Sequence, residues 1–179
     1  LGRFDFSGAR LLAERAARYD LRVQPILSDP TSESHSSAPA EVLAKRQRVG
    51  DSYAPLWHLP RSLEAYGQYV KRCMQAFPQL GPWEILNEPY GGKLQGWKLE
   101  EQYDTFLRLA GEGIRPAGQR VLRCGLVYLK HDETANARAS RAADILSEHF
   151  YPAYNDTRKF LTDFELVTDF QAKHRLCNA

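Results

Sequence analysis

The sequence lacks an apolar run approaching the roughly 20 residues that a membrane-spanning helix needs, so no membrane span is expected. It also lacks, at its start, the charged-then-apolar pattern of a secretory leader, which leaves the compartment open, secreted and periplasmic included. Cysteine is sparse. Cys73, Cys124 and Cys177 lie far apart with no Cys-x-x-Cys spacing, which argues against a zinc site and against a disulfide framework and makes buried free thiols the expectation. Concentrated charge is missing too. A formal net charge of +2 comes from 24 basic and 22 acidic residues spread along the chain, so no field for a polyanion builds up and nucleic acid is a poor partner. The longest basic cluster, Lys45-Arg46-Gln47-Arg48, has no interleaved aromatic residue and reads as a solvated loop. Asn155-Asp156-Thr157 fits the N-glycosylation pattern, which matters only in a eukaryotic secretory setting.

What is present is an ordinary globular make-up: 43% hydrophobic and 26% charged residues over 179 positions, enough for one core and a single domain across residues 1–179. Strand-like and helix-like patterns alternate throughout, the signature of β/α units and a parallel sheet. Arg3-Phe4-Asp5-Phe6 alternates polar and apolar, and Ser7 is placed to cap a helix carrying Leu11, Leu12, Ala16 and Tyr19. Leu21 to Leu27 reads as strand and stops at Ser28-Asp29-Pro30. Thr31 to Pro60 loses periodicity and reads as a long loop with a short helix near Glu41 to Arg48.

Leu63, Tyr66, Val70, Cys73 and Phe77 then mark one helical face ending before Pro78, and Trp83 to Leu86 is the next strand. Leu99, Tyr103, Phe106, Leu107, Ala110 and Ile114 trace a further helix, closed by Pro116 to Gly118. Val121 to Leu129 reads as strand, Thr134 to Ala143 as a short helix, and Asp144 to Phe150 as strand. Phe160, Leu161, Phe164, Val167 and Phe170 mark a final helix. The total is about five β/α units. A complete eight-stranded β/α barrel needs about 250 residues, so five units would form an incomplete one. An open doubly wound sheet is the alternative, but the Gly-rich phosphate turn it usually carries after an early strand is not seen.

The chemistry-bearing stretch is Trp83-Glu84-Ile85-Leu86-Asn87-Glu88-Pro89. An apolar strand ending in Asn-Glu-Pro sets an amide and a carboxyl at the C-terminal edge of the sheet, where β/α barrels build their active sites. Glycoside cleavage needs such a carboxyl to protonate the departing oxygen and later deprotonate water, with a second carboxylate about 5 Å away as nucleophile in retaining enzymes. The amide suits a sugar hydroxyl because it both donates and accepts. By itself the same tripeptide also makes a polar turn after a strand.

These residues resemble the fourth-strand motif of the clan A glycoside hydrolases, retaining glycosidases on a parallel (β/α)8 barrel of TIM type, and the neighbouring segments fall in matching order. Residues 3 to 6 look like the end of the second barrel strand, Pro25-Ile26-Leu27 the third, Arg120 to Leu129 the fifth, and His149-Phe150-Tyr151-Pro152 the end of the sixth. The nearest-looking relatives are the β-xylosidase/α-iduronidase family and the barrel hydrolases of microbial exopolysaccharides. The resemblance implies Glu88 as general acid/base, Asn87 beside the cleaved bond, His149 lining the sugar subsite, Tyr151 touching nucleophile or sugar, and Trp97 as a loop tryptophan beside the substrate. It implies an oligosaccharide or polysaccharide substrate and no metal or organic cofactor.

Trp57 and Tyr90 are further flat aromatic surfaces for sugar C–H faces, and Arg3 is a candidate to orient the nucleophile. Each of these strand-end and loop residues also has a plain packing or ion-pair reading.

The clan's nucleophile ends a seventh strand, which the sequence does not reach, while Glu165 and Asp169 fall in the last helix. The start at Leu1, already in strand-like sequence, points the same way, toward an upstream portion removed. The chain is therefore expected to be an internal piece, inactive alone, with two open sheet edges and uncovered apolar helix faces. A non-catalytic carbohydrate-binding or interaction protein is the rival from another class, and a flavodoxin-like nucleotide binder a third.

Overall fold

A computed structural model describes residues 4–27, 37, 39–41, 44, 60–87, 99–124, 133–147 and 157–176, with the side chains of 99–102, 135 and 157 excepted. Among the described residues helices and short strands alternate: α1 (Ser7–Arg18), β1 (Ile26–Leu27), α2 (Leu63–Ala76), β2 (Trp83–Ile85), α3 (Leu99–Ile114) with a 3-10 turn over Arg115–Ala117, β3 (Val121–Arg123), α4 (Glu133–Arg141), β4 (Ile145–Leu146) and α5 (Thr157–His174). The strands form one parallel sheet in the order β1-β2-β3-β4, so the chain is α/β, as the alternation of patterns predicts.

Each crossover steps one strand in the same direction. Because such connections are right-handed in about 98% of cases, equal steps put their helices on one face of the sheet. Consistent with this, α2 packs on α3 and α3 on α4. The strand order reverses nowhere among the described strands, so the crevice of a doubly wound sheet has no counterpart among them.

Register divides the sheet into two faces. Leu27, Ile85 and Arg123 lie side by side, as do Trp83 and Val121, and these side chains meet the helices. Ile26, Glu84, Leu122 and Ile145 line the opposite face. The main core joins Leu27, Trp83, Ile85 and Val121 to Tyr66, Val70, Cys73 and Phe77 of the α2 region and to Phe106, Leu107, Ala110 and Ile114 of α3. Gly113 sits where α3 crosses α2: a Cβ there would lie 3.0 Å from Val70 Cγ1, so the bare backbone permits the approach. Gly118 ends the α3 segment at φ 73, the left-handed conformation expected of a helix-terminating glycine.

Several expectations need correction. Residues 4–6 are not strand; Phe4 stacks on Phe6 (6.0 Å) and on Tyr69 (6.3 Å), and Phe6 meets Phe77 edge-on (5.5 Å), so these rings are held by α2. Ser7 is the first helical residue rather than the cap, and its N–H donates instead to Asp5 Oδ1 (2.9 Å), which holds the Asp5 carboxyl below its ordinary value. Of the expected α1 face only Ala16 is buried; Leu11, Leu12 and Tyr19 are exposed, Tyr19 at 78%. In α5, Val167 and Phe170 join Ala137 in a small second core, while Phe160, Leu161 and Phe164 face solvent. Strand pairing near Leu21–Leu27 is confined to Ile26 and Leu27, and near 144–150 to Ile145 and Leu146 among the described residues. The 31–60 segment lies almost entirely outside the described residues. Cys73 and Cys124 are buried free thiols, and burial pushes Cys73 up to about 11. Among the described residues no helix is long and apolar enough to cross a membrane.

Candidate functional site

The C-terminal edge of the sheet is built where β1, β2 and β3 end together. The Leu86 N–H donates to the Leu27 carbonyl (3.0 Å), carrying the β1–β2 ladder one residue past the strand. Leu86 itself is buried and turns at φ 60. A left-handed conformation costs a non-glycine residue about 1–2 kcal/mol and persists only where its surroundings hold it, a form of strain that clusters at functional positions. Asn87 follows immediately and is exposed. The amide is thus delivered to the sheet's C-terminal edge by a strained, anchored residue.

On the other side, Tyr103 of α3 reaches the same edge. Its hydroxyl donates to the Ile85 carbonyl (2.7 Å) and accepts from the Cys124 N–H (3.0 Å). The Arg123 guanidinium lies 5.8 Å from the centre of the Tyr103 ring, and its Nη2 donates to Asn136 Oδ1 (2.6 Å). Burying a guanidinium is costly, and this fully buried one has the Tyr103 ring of α3 beside its charge and Asn136 of α4 accepting from its Nη2. Asp104, the neighbour of Tyr103, pairs with Arg108 (3.3 Å) and Arg138 (3.2 Å) and so ties α3 to α4 outside the sheet.

Below the edge, on the face away from the helices, Glu84 is 2% exposed and its Oε2 accepts from Gln24 Nε2 (2.9 Å). The pair joins the segment leading into β1 to β2, beside the backbone bond from the Glu84 N–H to the Pro25 carbonyl (3.0 Å). Strand alternation turns Glu84 to the opposite face from Trp83 and Ile85, which fill the helix-side core.

Of the residues singled out from the sequence, Asn87 stands at the strand end as expected. Glu88, Trp97, His149 and Tyr151 lie outside the described residues, as do Arg3, Trp57 and Tyr90. Glu165 and Asp169 are exposed on α5. Sequence reasoning overlooked three groups at or under this edge: the buried charges Glu84 and Arg123, and the hydroxyl of Tyr103. A charged residue inside a short apolar strand is the signal for the first two. The third carries no such signal, because Tyr103 fits the apolar helix period as well as a phenylalanine would.

No protein-family model matches the chain, and no curated protein or solved structure matches it either.

Proposed function

We propose that this chain carries the acid/base half of a retaining β-glycosidase site on a (β/α)8 barrel of which its sheet is an arc. The observation that carries the reading is the strand end itself: Asn87, which Glu88 follows in the sequence, comes directly after the anchored Leu86 at the C-terminal edge of a parallel sheet whose strands run in sequence order. Sequential order and one-sided helices are what a barrel arc requires, and that edge is where barrels place their chemistry.

In this reading Glu88 gives its proton to the glycosidic oxygen as the bond to the anomeric carbon breaks, while a carboxylate about 5 Å away attacks that carbon. Glu88, now ionised, takes a proton from water, whose oxygen displaces the enzyme carboxylate and releases the sugar. Asn87 holds a hydroxyl of the sugar beside the cleaved bond, with Trp97, His149 and Tyr151 contributing to the sugar subsite. The attacking carboxylate is assigned to a seventh strand supplied by polypeptide outside these 179 residues.

Hydrolysis of a panel of aryl β-glycosides by the longest polypeptide carrying this sequence tests the reading. Activity is expected there and not in the 179-residue chain, and Glu88→Gln should lower it by about 10²–10⁴-fold. Full activity in Glu88→Gln would overturn the assignment. A well-folded protein inactive on every sugar but binding glycans saturably would move the reading to a carbohydrate-binding protein.

A further inference from the structure

A surface helix ordinarily turns its large apolar residues inward and its small or polar ones outward. The helix α1 is built the other way round. Its side toward the body of the molecule is made of alanines, Ala16 buried and Ala13 half-buried. At about 100° per residue, Arg18, Leu11, Arg15, Tyr19 and Leu12 follow one another across a different side, in a sector about 120° wide. All five are exposed, and about half or more of the surface of Leu11, Leu12 and Tyr19 is in water. Leu21, just past the helix, adds another exposed leucine.

The charge on this side is of one sign. Arg15 and Arg18 lie inside the sector and form no ion pair among the described residues, and Arg10 and Arg22 are exposed beside it. The acids of the stretch fall outside the sector: Glu14 lies one turn from both Arg10 and Arg18, and Asp20 follows the helix. The face therefore asks for a partner that is anionic at its surface and apolar just beneath. An anionic bilayer meets both needs, with phosphates for the guanidiniums and acyl chains for the leucines. Arginine stems can lie along the apolar layer while their heads stay at the phosphates, and a tyrosine ring suits the same boundary.

We infer that α1 rests in the headgroup region of an anionic lipid bilayer, with Leu11, Leu12 and Tyr19 entering the acyl boundary and Arg15 and Arg18 reaching lipid phosphates. The helix lies on the membrane and does not cross it. The inference is independent of the glycosidase reading, because none of these residues belongs to the C-terminal edge of the sheet.

The experiment floats the longest polypeptide carrying this sequence with vesicles of phosphatidylcholine, alone or with about one-third phosphatidylglycerol. Binding is expected to the anionic vesicles only. It should weaken between about 0.1 M and about 1 M salt, as the screening length shortens from about 10 Å to about 3 Å. Arg15→Gln combined with Arg18→Gln should weaken it about 20- to 30-fold, or about 5-fold per arginine, and Leu12→Glu should abolish it. These side chains are exposed, so circular dichroism and thermal melting should match wild type. Tyr19→Trp reads insertion directly: the emission it adds over wild type should shift to the blue on anionic vesicles and be quenched by brominated acyl chains.

A folded wild type that stays off anionic vesicles overturns the inference, and self-association or binding of an acidic protein that Leu12→Glu removes would then assign the face to a protein contact. Vesicle binding that survives both Leu12→Glu and the double arginine change lies elsewhere on the molecule and overturns it too. Binding lost with the arginines but kept in Leu12→Glu, with the tryptophan at 19 unquenched, is adsorption without insertion and overturns it as well.

Discussion

The centre and the flanks of this molecule are written in the same helical period but fold into different surroundings. In α2 and α3 the apolar stripe is almost wholly interior: Val70, Leu107, Ala110 and Ile114 have no exposed surface, and Phe106 has almost none. In α1 and α5 a comparable stripe is largely in water, with Leu12 at 62% and Leu161 at 52% exposure. The apolar spacing of α1 is as regular as that of α2 and α3, and that of α5 is weaker. What differs is the company: α2 and α3 have the sheet on one side and each other beside them, whereas of α1 only Ala16 is buried, the rings that meet the α2 region being Phe4 and Phe6 just ahead of it, and α5 buries Val167 and Phe170. Amphipathicity thus specifies that a helix has a face to bury, and leaves open whether anything buries it.

The sharpest way to test that contrast is to cut one side chain from each region. Leu107→Ala removes a fully buried leucine from the α2–α3–sheet core and should cost about 2–5 kcal/mol in chemical denaturation, cavity included. A loss below about 1 kcal/mol would mean that the centre is no better packed than the flanks. Leu12→Ser and Leu161→Ser should each stay within about 0.5 kcal/mol, as surface changes do. A destabilisation of the same size as Leu107→Ala, or one that grows with protein concentration, would show that these faces are covered and would erase the distinction.

The smallest effect concerns how α5 is tied to α4. Glu133 receives Lys173 Nζ (2.7 Å) and lies 2.6 Å from His174 Nε2, and these partners, Lys173 foremost, hold its carboxyl below the ordinary 4.5. The unfolded chain therefore takes up this proton first as the medium is acidified. The contribution is complete above the ordinary value and fades as pH falls through the lower, folded one. Glu133→Gln should flatten that part of the stability–pH curve; an unaltered acid limb would show that the tie does not bear on folding.

Much of the fold was legible because backbone geometry imposes its own period. The face of α2 from Tyr66 to Phe77, the face of α3 from Tyr103 to Ile114, the stop at Gly118 and the strand at Trp83–Ile85 all follow from local spacing and punctuation. Residues 4–6 were misread for a physical reason: two aromatic rings two positions apart look like one face of a strand, and here they are rings stacked on a helix. At the site, Asn87 was legible from its place after an apolar strand. Glu84 and Arg123 were visible as residues but not as buried charges, since burial depends on Gln24, Asn136 and Tyr103, which are distant in the chain or on other elements.

The sequence by itself determined the order and kind of the elements and the edge of the sheet at which Asn87 is presented, because periodicity and chain direction are local properties. Only the tertiary structure decided which faces found partners, which strands became neighbours, and that a tyrosine hydroxyl of α3 would join the ends of β2 and β3. Those outcomes are set by contacts between residues far apart in the chain, and no local pattern encodes the partner at the other end.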